Sequence, residues 1–177
     1  MSAERENGWF LTDTSRISLW LHEPDPGSAE WRAVRTAAEA YVRGLNTLDL
    51  NAFFELLHDG VVYTSMWVFK NREGKEAVTA HLARKMEAIG TGLATIQVRA
   101  ELAVSAAGFC AAVSQPPENP PSAITIFDVK DGKVTGINVC MPELVPVRLT
   151  GLRPGLEERT VTGDAPIPPE KKGGKEL

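Results

Sequence analysis

The side chains able to move protons near neutral pH are few and scattered. His22, His58 and His81 are the three histidines of a 177-residue chain, and Cys110 and Cys140 are its two cysteines. No two of these stand at metal-ligand spacing and no carboxylate cluster joins them, so no metal site is expected. No cofactor is expected either: the "GTG" at 90–92 lacks the Lys-Ser/Thr of a phosphate loop and the spacing of a dinucleotide fold. His81 is the best proton carrier, because an imidazole titrates near neutrality, and Lys85 stands one helical turn further on. On the flank of a helix His81 reads equally well as a boundary residue, and Lys85 as a side chain stretching to the rim. His58 should face water, and His22 lies in a segment without clear pattern. The cysteines fall in strand-like stretches and read as reduced thiols of a cytosolic protein.

A second set is aromatic and polar. Tyr63, Ser65 and Trp67 take alternate positions of "VVYTSMWVF" and would share one strand face. Gln115 ends "GFCAAVSQ", where Phe109, Ala111 and Val113 alternate inward, and Ile137, Val139 and Met141 alternate along "KVTGINVCMPEL". Facing a cavity, these residues would make an apolar wall with a few polar anchors, suited to a flat or cyclic molecule. The other reading is a filled core. A buried Gln115 amide without partners would weigh against that, unless it sits at an open rim beside "PPENPP".

The elements that must position these groups follow from periodicity. From Ala29 to Leu45, Val34, Ala38, Tyr41, Val42 and Leu45 recur at helical steps and leave Arg35, Glu39 and Arg43 for water. Asp49 caps a second helix with Leu50, Phe53, Phe54 and Leu57 on one face, which Asp59-Gly60 ends. The strand "VVYTSMWVF" follows, then a loop "KNREG", then a third helix over 75–89 with Val78, Leu82, Lys85 and Ile89 on one side. Four strands are read from "ATIQVRAELAVS", "GFCAAVSQ", "SAITIFDVKDG" and "KVTGINVCMPEL". In the first, Gln97, Arg99 and Glu101 should point outward, and Lys130-Asp131-Gly132-Lys133 should form a tight hairpin. The expected class is α+β, with helices covering one face of the sheet. "RISLWL" is a short strand candidate, and "GDAPIPPEKKGGKEL" has the composition of a disordered end. The formal net charge of −4, without a basic face, weighs against nucleic acid as a partner. Neither a signal peptide nor a membrane span is apparent, and a cytoplasmic location is expected.

"AYVRGLNTLDLNAFFELLHDGVVYTS", "GKEAVTAHL" and "FDVKDGKVTGINV", in that order and spacing, resemble the SnoaL-like branch of the nuclear transport factor 2-like superfamily. The likeness runs from about Trp31 to Pro142. It divides the chain into an extension over 1–30, a domain over 31–146 and a partly disordered extension over 147–177. It implies a cone: a strongly curved antiparallel sheet wrapped around N-terminal helices, open at one end to an apolar pocket. Ketosteroid isomerases, a branch of that superfamily, place on the first helix a tyrosine that donates to a developing oxyanion, and Tyr41 falls there. A core tyrosine bonded to a neighbour is the alternative. The carboxylates of that branch fall on Ser65 and Thr125, which cannot take a proton from carbon, so that route is not expected here.

These expectations combine into a cofactor-free isomerase, cyclase, dehydratase or epoxide hydrolase acting on a small hydrophobic polyketide- or terpenoid-like molecule. Tyr41 and His81 would be catalytic. Tyr63, Ser65, Trp67, Lys85, Gln115, Thr125, Phe127, Val139 and Met141 would hold the substrate. The alternative is a non-catalytic domain of the same fold that binds a small ligand or dimerises. A homodimer is expected from the resemblance, with Ile124, Ile126 and Cys140 on the outer face of the sheet as apolar contacts.

Overall fold

The structure is a computed structural model that describes residues 27–91, 98–115 and 119–156. "RISLWL", His22 and "GDAPIPPEKKGGKEL" lie outside the described residues. Helix α1 (Ala29–Thr47) begins where Ser28 Oγ accepts from Trp31 N at 3.0 Å. It buries the expected stripe of Val34, Ala38, Tyr41, Val42 and Leu45. It ends at Leu48, whose left-handed φ of 60° turns the chain sharply. A Cβ on Gly44 would strike Leu50 there, so the turn requires glycine.

The second helix is shorter than its sequence pattern: α2 spans only Asn51–Phe54. Asp49 Oδ1 accepts from Asn51 N at 3.0 Å, as its capping role predicts. Leu57 already opens strand β1 (Leu57–Ser65), so Asp59-Gly60 is an irregularity inside the strand rather than a helix stop. Strand β2 (Val68–Glu73) takes the place of the expected "KNREG" loop. The stretch "VVYTSMWVF" is therefore two strands joined at Met66-Trp67, and its alternation ends at Ser65. Helix α3 (Lys75–Gly90) packs on β1 and β2.

Strands β3 (Arg99–Ser105), β4 (Gly108–Ser114), β5 (Ala123–Lys130) and β6 (Lys133–Cys140) form an antiparallel meander. Asp131 (φ 51°) and Gly132 (φ 75°) close the β5–β6 hairpin with two left-handed residues. With β7 (Arg148–Leu149) the sheet has seven strands in the order β2-β1-β6-β5-β4-β3-β7. It is mixed rather than wholly antiparallel, because β1 runs parallel to β6. Helix α1 lies against β3, β4 and β5, and α3 against β1 and β2, so one sheet face wraps a helical core in a cone-shaped α+β fold.

Both faces of the sheet are covered. On the inner face, Tyr63, Phe127, Ile137, Val139, Leu102 and Ala111 join the α1 stripe in one core. On the outer face, Ala103, Cys110, Ala112, Ile124 and Ile126 are buried with Val145, and Val147 packs against them. The outer apolar surface expected for a dimer is thus taken up within the chain: Ile124 and Ile126 are buried and Cys140 is half-buried. The 146/147 boundary also falls inside packed structure. Gly151 N and Arg153 Nε donate to Glu101 at 2.7 and 3.0 Å, so Glu101, expected outward in water, is a buried anchor for the segment after β7. Asn46, wholly buried, donates to Ala100 O and Pro154 O and accepts from Ala100 N, tying α1, β3 and this segment together.

Candidate functional site

Strand register brings most of the expected inner-face residues into two adjacent rows. Tyr63 lies opposite Arg72 on one side and Ile137 on the other, and Ile137 opposite Phe127. Ser65 lies opposite Val139, and Val139 opposite Thr125. Residues directly opposite share a face, so these rows look toward the helices.

At the α1 side the rows meet aromatic packing. Tyr41 stands edge-on to Phe53 and Phe127, with ring centroids 5.0 and 5.2 Å away, and those two rings are 5.7 Å from each other. Each such pair adds about 0.5–1.5 kcal/mol beyond the area it buries. Burial pushes the Tyr41 phenol well above its ordinary range, nearby Tyr63 adds to this, and a hydrogen bond with the Thr125 side chain opposes it. Tyr41 is therefore a neutral, satisfied group held between rings.

At the α3 side the groups are polar. Tyr63 is buried, yet its Oη accepts from Lys85 Nζ at 2.9 Å, and the ammonium stands 5.3 Å from the ring centroid. Lys85 is exposed, its place on the buried stripe of α3 being taken by Met86, so it spans from solvent to a buried phenol. The His81 ring is tilted against Tyr63 with centroids 4.8 Å apart, and its Nε2 is buried without a hydrogen-bond partner. Burial first, then the charges of Lys85, Arg72 and Arg84, hold the imidazole below its ordinary value. His81 is thus neutral at pH 7, with a basic or donor nitrogen unspent.

Other expected lining residues stand apart. Trp67 is 54% exposed on the β1–β2 turn, because the chain reverses there instead of continuing its alternation. Its backbone N donates to Ser65 Oγ at 3.4 Å, which occupies the Ser65 hydroxyl locally. Met141 follows the last residue of β6 and is 37% exposed. Gln115 is exposed just past β4, the rim position rather than the buried one. His58 is exposed, as expected, and its Nδ1 accepts from Gly60 N. Among the described residues no group of His, Cys, Asp or Glu could hold a metal ion.

Arg72 was missed. Its Nε is buried and unpartnered, and it lies opposite Tyr63. The alternation of Lys70 and Arg72 against Asn71 and Glu73 was the available signal, hidden by the absence of turn residues at Met66-Trp67. A cavity of about 530 Å³ opens between β2 and the start of α3, lined by Lys70, Asn71, Arg72, Glu73 and Ala77. It adjoins the polar end of the rows and includes none of the residues expected to line a pocket.

Residues 38–137, more than half of the chain, match the family model of the SnoaL-like domain. Among solved structures, a nuclear transport factor 2-like protein from Anabaena variabilis is 17% identical over 67% of this chain and 92% of its own, with a TM-score of 0.49. A SnoaL-like protein of unknown function from Burkholderia thailandensis is 16% identical over 62% of this chain and 94% of its own, with a TM-score of 0.49. A protein from Sinorhizobium meliloti named as a candidate polyketide cyclase is 17% identical over 57% of this chain and 90% of its own, with a TM-score of 0.42. No curated protein matches the chain in sequence.

Proposed function

We propose, from the premise that the chain belongs to the SnoaL-like domain family, that it is an acid–base enzyme acting without a cofactor on a small, largely apolar molecule. The reaction class is isomerisation, cyclisation, dehydration or epoxide opening, each of which needs a proton taken from one atom and given to another. One observation carries this reading: a neutral imidazole with a buried, unpartnered Nε2 lies beside a buried phenol whose oxygen accepts from an ammonium. His81 takes the proton. Tyr63, whose oxygen accepts from Lys85, supplies or receives one at the opposite atom.

The test is proton exchange. The full chain would be incubated in deuterium oxide with a panel of enolisable ketones and deuterium incorporation followed by NMR. Exchange should exceed the buffer rate and fall by about 10²–10⁴-fold in His81→Gln. Wild-type protein no faster than buffer across the panel, or a His81→Gln variant as fast as wild type, sinks the reading.

A second reading, a ligand-binding domain without catalysis, is favoured by the Tyr41–Phe53–Phe127 packing, which fills the α1 end of the interior with rings. Native mass spectrometry of freshly purified protein should then show a retained small molecule together with no exchange activity.

A further inference from the structure

The edge of the sheet next to Tyr63 holds positive charge that no ion pair among the described residues neutralises. Arg72 has neither a hydrogen bond nor an ion pair with a described residue, and its Nε is sealed from solvent. A buried donor left unmade is costly, and a guanidinium more so than an amide. Lys70 and Arg84, on β2 and α3, also lack ion pairs with described residues, and among these the ammonium of Lys85 donates only to the Tyr63 oxygen. Glu73, Glu76 and Glu87, the nearest acids in sequence, are exposed and bond to none of them through their side chains.

Resting on the acid–base reading of Tyr63 and His81, we propose that Arg72, with Lys85 beside it, is a seat for the carboxylate of the substrate, which is therefore a small acid with an apolar body. The row running inward from this edge is Arg72, Tyr63, Ile137, Phe127: charged at its rim and apolar beyond. A ligand seated with its carboxylate on Arg72 would lie in the cavity between β2 and the start of α3, beside the strand pair that sets Arg72 opposite Tyr63. The planar fork of a guanidinium offers two coplanar N–H groups to two oxygens in a plane, the geometry of a carboxylate. Glu73, which lines the same cavity as Arg72, keeps the local excess of charge small and disfavours a dianion such as phosphate. The cavity of about 530 Å³ is within the range of small-molecule sites.

The experiment is titration of the full chain with phenylacetate, phenylacetamide and inorganic phosphate, followed by ligand-observed NMR and calorimetry. Phenylacetate should bind saturably, while the amide and phosphate bind at least about tenfold more weakly. Arg72→Met should weaken phenylacetate by about tenfold or more, and Arg72→Lys, which keeps the charge and loses the fork, by less. Equal binding of acid and amide, tighter binding of phosphate, or an Arg72→Met variant that binds phenylacetate like wild type overturns the proposal. Should Arg72→Met fail to fold, Lys85→Met, altering an exposed side chain, takes its place with the same direction expected. Binding of phenylacetate needs no turnover. If proton exchange is absent while phenylacetate still depends on Arg72, only the acid–base reading fails; if exchange is His81-dependent but indifferent to a carboxylate, only the seat fails.

Discussion

Tyr41 and Tyr63 are both buried phenols in one core cluster, close enough for Tyr63 to add to the upward shift of Tyr41, and they differ in what reaches their oxygens. Tyr41 comes from the middle of a helix and meets a neutral hydroxyl and two rings; nothing about it is unfinished. Tyr63 comes from a strand near the sheet edge and meets a lysine reaching in from solvent, an imidazole with an idle nitrogen and, opposite it, a guanidinium without a partner. A satisfied buried polar group stabilises a fold, whereas an unsatisfied one is a cost that a ligand can relieve. On the proposed reading, the α1 end serves stability and the α3 end chemistry.

The contrast is broken most directly by Phe127→Ala, which removes the ring that Tyr41 and Phe53 share. It should cost about 3–5 kcal/mol, read by urea unfolding, and a loss below about 1 kcal/mol would mean the α1 end is not a packed core. Paired phenol deletions sharpen the comparison. Tyr63→Phe should cut any turnover by about 10²-fold or more with little change in Tm. Tyr41→Phe should instead lower stability by about 1 kcal/mol, the worth of one hydrogen bond, and spare most of the turnover. The reverse outcome would exchange the two roles.

A pH titration of stability addresses the α3 end alone. His81 is held below its ordinary value of 6.5, so the unfolded chain takes up that proton first. Stability is then full above the unfolded value and declines as pH falls through it, down to the lower folded value, where the decline levels off. His81→Gln should flatten this part of the profile, and an unchanged slope would show that the imidazole is not held neutral by the fold. The smallest effect concerns the outer face. Burial pushes the Cys110 thiol up to about 12, so at pH 8 a thiol reagent should label half-buried Cys140 slowly and leave Cys110 intact until the protein unfolds. Equal labelling rates would mean that the cover of Val145 and Val147 opens readily.

Much of this was legible in advance where a pattern is local. The α1 stripe, the third helix, the Asp131-Gly132 hairpin and the inward set of Tyr63, Phe127, Ile137 and Val139 follow from periodicity and turn chemistry. The failures are equally local in cause. The β1–β2 turn carries Met66-Trp67 where glycine or asparagine would be expected, so one strand was read for two, and Arg72 was placed in a loop. Glu101 looked like an outward-facing polar residue because its partners, Gly151 and Arg153, are some fifty residues away.

The sequence by itself determined most of the residues that face inward within each regular element, since side-chain alternation and helical period are properties of neighbouring residues. Tertiary structure alone decided which of those inward groups are satisfied and which are left over. Satisfaction depends on register between distant strands and on where a helix lays its flank: the β1–β2 pairing sets Arg72 opposite Tyr63, and the seating of α3 delivers Lys85 and His81 to the same phenol.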